Sequence, residues 1–195
     1  MLHLNMAKRK TAHWSLFCEE DLADFEVLTV VEPYIYEDVE TGEPAVPVER
    51  HWRMFIPEET QRTEVARFAF RAAIWVNKRH TARQVSTPSG DIVAVVIPAK
   101  ESTVLVAAAY DIKRAVGQAE NEERLRRKLS LVKDVYEAVK RERRDERVDL
   151  LLCADFNRHH VLWGGARALQ DAERRSVSLT LCRNTRSPRC FRQGL

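Results

Sequence analysis

The stretch Leu150-Leu151-Leu152-Cys153-Ala154-Asp155-Phe156-Asn157-Arg158-His159-His160-Val161-Leu162-Trp163-Gly164-Gly165 decides how the rest of the chain is read. Its apolar opening predicts a buried strand, and the abrupt change at Asp155 predicts a polar loop at the strand's C-terminal end. In an open α/β sheet chemistry is placed at such ends, because loop residues there are held on a rigid scaffold yet face solvent. Asp155 and Asn157 are two apart, so on an extended backbone both side chains project to one face. A carboxylate beside a carboxamide suits a phosphate, a metal ion and an attacking water. Taken alone, Asp155 reads equally well as a turn cap.

Outward from this strand the sequence alternates between strand-like and helical runs, as an α/β protein should. Leu2 to Asn5 predicts a first strand, and Thr11 is placed to cap a helix containing Trp14, Leu16, Phe17 and Leu22. Val27 to Val31 predicts a fully buried strand, and His51 to Ile56 a short one ended by Pro57. The β-rich runs Phe68 to Val76, Asp91 to Ile97 and Thr103 to Tyr110 predict antiparallel hairpins within a mixed sheet. From about Asn121 to Arg141, Leu125, Leu129, Val132, Tyr136 and Val139 recur at helical spacing. That pattern predicts an amphipathic helix packed on the sheet, its charges solvated and paired i to i+4.

With 195 residues, 45% of them hydrophobic and 31% charged, the chain has the size and balance of one well-buried soluble domain. No apolar run approaches the length of a membrane span and the first residues lack a signal-peptide core. The expected product is intracellular, nuclear included, with no targeting signal and no membrane partner. Cys18, Cys153, Cys182 and Cys190 have no zinc-type pairing. Cys18 and Cys153 fall in predicted core elements. Reduced thiols are expected, with a Cys182–Cys190 disulfide the alternative in an oxidising setting. The net charge of +3 is unevenly spread. Residues 167–195 hold seven arginines against Asp171 and Glu173, so this tail carries +5 and the rest of the chain −2. A nucleic-acid partner therefore cannot be argued from a basic main body.

The Asp155–Gly165 segment resembles the Asp-Phe-Asn-Arg-His-x-x-Leu-Trp-Gly-Gly motif of the endonuclease/exonuclease/phosphatase family. Within it, the segment is similar to the apurinic-endonuclease-like domain of fungal non-LTR retrotransposons. Asn5 resembles the family's first-strand asparagine, Glu32 its metal-binding glutamate and Tyr110 its active-site tyrosine; the run Ala69 to Asn77 also resembles the retrotransposon subgroup. The resemblance reaches from the N-terminus to about Gly165. It implies an α/β fold, a partial four-layer α/β sandwich of mixed β-sheets flanked by helices, with the second half incomplete. Residues 1–165 would form that domain and residues 166–195 a basic tail, disordered or aberrant. It also implies a Mg²⁺ site, with Mn²⁺ as substitute, at Glu32 and Asn5. Asp155 would orient or deprotonate water, Asn157 would bond a phosphate oxygen, and Tyr110 would bond the phosphate or hold Asp155. The implied partner is a target DNA duplex, and a reverse transcriptase domain normally shares the polyprotein but is absent here.

Each residue has a plainer reading. Glu32 before Pro33 can simply end a strand in extended geometry, and Tyr110 can be a core aromatic with its hydroxyl at the boundary. Asn5 alone carries no signal. His159 and His160 read as structural or surface residues, and Trp163 as a loop anchor on the core. The family pattern also places a second aspartate and a terminal Asp-His pair downstream. Here no histidine follows His160, and the only later aspartate is Asp171. The expected product is thus a truncated, weak or inactive endonuclease. Two other readings stay open. One is a non-catalytic nucleic-acid-binding remnant or inert pseudogene product. The other is a phosphatase or phospholipid phosphodiesterase of the same fold, against which the Arg158-His159-x-x-Leu162-Trp163-Gly164-Gly165 signature argues.

Residues 176–195 show no sustained period and no acidic residue. We hypothesise that a frameshift, a retained intron or an early stop replaced the authentic C-terminal part. The sequenced transcript should then hold an in-frame alternative close by; a transcript running cleanly through the tail with none nearby would sink the idea.

Overall fold

A computed structural model describes residues 1–58, 70–111 and 118–156, all within one compact unit, Met1–Phe156. The elements in chain order are β1 (Leu2–Asn5), α1 (Lys10–Phe17), a 3₁₀ turn (Glu20–Asp24), β2 (Val27–Val31), β3 (Tyr36–Glu37) and β4 (Pro44–Ala45). There follow β5 (Trp52–Phe55), β6 (Ala72–Asn77), β7 (Arg83–Val85), β8 (Ile92–Pro98), β9 (Thr103–Tyr110), α2 (Gln118–Glu142) and β10 (Val148–Asp155). One sheet has the order β1-β2-β6-β5, a second the order β10-β9-β8-β7, and β3 pairs with β4 in a small ribbon. β1 runs parallel to β2 and β10 parallel to β9, while the remaining pairs are antiparallel. Parallel neighbours need a crossover. α1 with the 3₁₀ turn lies between the first pair, and α2 between the second.

Strand residues alternate between faces, and the alternation sorts three apolar layers. Ala72, Ile74 and Val76 of β6 meet Val93, Val95 and Ile97 of β8 and Val106 and Ala108 of β9 between the two sheets. The intervening residues Ala94, Val96, Leu105 and Ala107 face outward against Val132, Val135 and Val139 of α2. On the opposite side Leu28, Val30, Ala73 and Trp75 face Leu22, Leu16 and Phe17 of the first crossover. The order is helix, sheet, sheet, helix: the four-layer mixed α/β architecture that the sequence predicted. Among the described residues, β1 and β10 each have one strand neighbour only. They lie on the same flank, since Met1 Sδ is 3.9 Å from Cys153 Sγ.

Several details differ from the sequence reading. The first helix begins at Lys10, with Arg9 at the N-cap making no side-chain bond, so Thr11 lies inside the helix and does not cap it. That helix stops at Phe17, and Leu22 reaches the core from the 3₁₀ turn. Cys18 is exposed and Cys153 buried, so only the second is a core residue. The sixth strand runs Ala72–Asn77; Phe68 and Ala69 of the predicted run lie outside the described residues. Among the described residues no helix is long and apolar enough to cross a membrane.

α1 carries one polar group into the core. His13 is fully buried, stacked on Phe17 and edge-on to Trp75. Its Nδ1 accepts a hydrogen bond from the Tyr34 N–H at 3.3 Å. Burial without a compensating charge pushes its pKa down to about 4. As pH falls below the ordinary imidazole value the unfolded chain binds a proton that folded His13 refuses. Stability is therefore full above that value, declines as pH falls towards 4, and levels off below. Between pH 7.5 and 5.0 this one group should cost about 2 kcal/mol. Urea denaturation at the two pH values checks the loss, which His13→Phe should largely abolish.

Candidate active site

The C-terminal ends of the two parallel strand pairs meet. Asn5 at the end of β1 donates from Nδ2 to Asp155 Oδ2 at the end of β10, at 2.8 Å, while its Oδ1 accepts the Ala7 N–H at 2.8 Å. Both ends of the amide are engaged, which fixes its orientation. Asp155 stands opposite Tyr110 in the β9–β10 register, and its carbonyl accepts the Asp111 N–H at 2.9 Å. Tyr110 is only 5% exposed, so it is both a core aromatic and a member of the site rim. Glu32 follows Val31, the register partner of Asn5. Four of the five sequence-predicted residues thus sit at these strand ends. The fifth, Asn157, lies outside the described residues, as do His159, His160 and Trp163.

The backbone around Glu32 is strained. Ala7, Lys8 and Glu32 have φ of 46°, 59° and 50°, a left-handed region that costs non-glycine residues free energy. Glu32 is held there from both sides: its N–H donates to the Arg71 carbonyl at 2.9 Å, and its carbonyl accepts the Lys8 N–H at 2.8 Å. The extended geometry expected from Pro33 is therefore overridden by pairing with two neighbouring segments. Arg71 also reaches across to the second sheet, its guanidinium 5.7 Å from the centre of the Tyr110 ring. No carboxylate pairs with it among the described residues. A half-buried cation with only an aromatic face for company suits an anionic ligand.

Behind the rim lies an ionic cluster. Asp111 is fully buried and accepts from Arg124 Nε at 2.8 Å. Lys128, 7% exposed, bonds Asp91 Oδ2 at 2.8 Å, approaches Asp111 at 3.5 Å and donates to the Tyr110 carbonyl. The Tyr110 N–H donates to the Asp91 carbonyl at 3.1 Å. Both main-chain groups of Tyr110 are thereby fixed from below. The solvated reading of the α2 charges holds for Arg127 with Glu123, an exposed i to i+4 pair, but fails for Arg124 and Lys128.

His3, half-buried, lies 2.8 Å from Thr29 Oγ1. Burial lowers its pKa, opposed by the bond with Thr29 and the charge of Asp155. Among the described residues no three His, Cys, Asp or Glu side chains cluster as a metal-binding group. The available donors are carboxylates of Glu32 and Asp155 and the amide oxygen of Asn5. These hard oxygen ligands fit a small cation that takes one or two carboxylates and keeps several waters.

The solved structures with this strand arrangement include the endonuclease domain of TRAS1, a telomere-specific non-LTR retrotransposon. It aligns with 21% identity over 87% of this chain and 66% of its own, with a TM-score of 0.53. A D. rerio TDP2 humanized by 14 mutations aligns with 11% identity over 84% of this chain and 65% of its own, again at 0.53. The fold is the endonuclease/exonuclease/phosphatase fold. No protein-family model matches the sequence, and no curated protein shows significant sequence similarity to it. The chain spans about two thirds of the length of the two endonuclease/exonuclease/phosphatase-fold structures.

Sequence reasoning missed Arg71, Asp91, Asp111, Arg124 and Lys128. One signal was present: Arg124 and Lys128 are four apart and adjoin Leu125 and Leu129, on the border of the apolar stripe. Lys128→Met removes the buried cation from Asp91 and leaves Asp111 to Arg124, and should destabilise the fold by about 3 kcal/mol. Arg127→Met, on the exposed side of the same helix, should change stability by less than about 1 kcal/mol. Chemical denaturation of both variants measures the contrast.

Proposed function

We propose that this chain carries a retrotransposon-derived DNA endonuclease domain that hydrolyses phosphodiesters with Mg²⁺, or Mn²⁺ in its place, and that these 195 residues by themselves have weak or no activity. The observation that carries the reading is the Asn5–Asp155 hydrogen bond at 2.8 Å, which joins the strand ends of two sheets beside Glu32 and Tyr110. Residues 1–165 form the catalytic domain in this reading, and residues 166–195 a basic tail.

Phosphodiester hydrolysis needs a positioned water, a base for its proton and positive charge near the phosphoryl oxygens. Glu32 and Asn5 would hold the cation, which when bound supplies charge against the phosphate. Asn5 also fixes the carboxylate of Asp155, the group that orients the water and takes its proton. Asn157 bonds a non-bridging phosphate oxygen. Tyr110, locked at its backbone by Asp91 and Lys128, presents its hydroxyl to the same phosphate or to Asp155. Arg71 adds a fixed positive charge close to that ring.

Two features support weak activity. These 195 residues hold no histidine after His160, so among them the phosphate-gripping histidine that the family resemblance implies has no counterpart, and a chain without that group would be about 10²–10³ slower. The β1 and β10 edges, unpaired among the described residues, leave Leu152 36% exposed on the flank beside the site. The partner in this reading is a DNA duplex. The +5 charge of residues 167–195 favours a second reading, a non-catalytic remnant that binds nucleic acid through its tail.

Supercoiled plasmid incubated with the protein and Mg²⁺ or Mn²⁺ should be nicked at trace rate at most, and not at all by Glu32→Ala or Asp155→Ala. Multiple-turnover nicking abolished by Asp155→Ala would place the site correctly and overturn the weak activity. Nicking that survives both substitutions would overturn the site.

A further inference from the structure

Beside the candidate centre lies a surface that hydrolysis does not use. Tyr34 and Tyr36 begin two residues after Glu32 and stack on each other, with centroids 6.2 Å apart and planes 23° from parallel. Both residues are half-buried. Ile35 between them packs into the apolar layer under α1, whereas neither tyrosine does. The aromatic pair is thus turned away from the core. Next to it the loop from β1 to α1 presents Lys8, Arg9 and Lys10, all exposed, with no side-chain ion pair among the described residues. Two hydrogen bonds fasten the loop and helix to the tyrosine segment: Lys8 N–H to the Glu32 carbonyl at 2.8 Å and Tyr34 N–H to His13 Nδ1 at 3.3 Å.

Nothing in the fold requires these side chains. Cations at the first turn of α1 oppose its dipole, and that turn has no acidic residue. The rings of Tyr34 and Tyr36 join no apolar layer of the core. A flexible polyanion with flat apolar groups explains both at once, because phosphates seek the cations and unpaired bases the rings. Of the acids in this segment, Glu32 is half-buried, Glu37 is exposed, and Asp38 is occupied by Thr41 and the Glu40 N–H. Lys8, Arg9 and Lys10 are the cations that would draw the backbone of such a strand.

We propose that Tyr34 and Tyr36, with Lys8, Arg9 and Lys10, form a binding site for a single nucleic-acid strand beside the candidate active site. The site deepens the nucleic-acid reading of the fold, but its readout requires no cleavage and no metal. Duplex DNA, with its bases stacked internally, does not offer the faces that the tyrosines need.

The test uses the full chain in EDTA and follows fluorescence anisotropy with a labelled oligothymidylate and with an abasic strand of equal length and charge. Wild type should prefer the thymidylate by about tenfold, within the range of base stacking on an aromatic ring. Tyr34→Leu with Tyr36→Leu should abolish the preference and leave abasic binding unchanged, while Tyr34→Phe with Tyr36→Phe should keep it. Lys8→Gln, Arg9→Gln and Lys10→Gln together should weaken both strands and reduce the slope of log affinity against log salt by about 2. The proposal is overturned by equal binding of the two strands to wild type, by a preference that survives the leucine pair, or by an unchanged salt slope in the triple variant. The last pattern would assign the electrostatic binding to the arginine tail. Plasmid nicking that survives Glu32→Ala and Asp155→Ala, with a retained base preference, would reject the catalytic reading and leave this one standing.

Discussion

The apolar layer between the two sheets is the constraint on which the remaining structure depends. Ile74 and Val76 on one side and Val93, Val95 and Val106 on the other are completely or almost completely buried, so the sheets have no freedom to separate or slide without opening cavities. Their outer faces are apolar as well, which forces α1 and α2 into place as covers. With both faces of the central strands buried, polarity alone does not fix register. Trp75 faces the first crossover, where its indole N–H reaches the Pro47 carbonyl at 3.1 Å.

Much of this was legible in the residues. β-branched runs marked the four central strands, because strands buried on both faces read as continuous apolar stretches. Helical periodicity marked α2 to within a few residues. The errors have identifiable causes. Thr11 is a good capping residue by type, but α1 starts one residue earlier on a loop fixed by the Met6 and Glu32 carbonyls. Glu32 was expected to be extended because of Pro33, a local preference that pairing with Arg71 and Lys8 outweighs. The cluster around Asp111 was hidden for a different reason. Its members come from a strand end, a loop and a helix, and their separation in sequence follows no period.

The site was legible in part as well. Asp155, Tyr110 and Glu32 close apolar runs, whereas Asn5 was singled out by the family resemblance alone, and the strands bring the four candidates to one rim. Arg71 did not stand out, because an arginine before a strand is common and its meaning lies in the ring it approaches across the sandwich. The left-handed residues Ala7, Lys8 and Glu32 were equally invisible, since none is glycine or asparagine. Their clustering at one rim is what strain held in place by surrounding structure looks like.

The Asn5–Asp155 bond joins residues 150 positions apart, whereas β8 and β9 are joined by a short hairpin. Local pairing forms early in folding and the closure of a long loop late, because its entropy must be met before any contact compensates. The rim is therefore assembled near the end of folding and is among the first regions to open. A ribosome must release almost the whole described chain before Asn5 can find its partner. Until then Asp155 and Tyr110 sit on one half of the molecule and Asn5 and Glu32 on the other, so a partly made chain carries the residues of the site without the site itself.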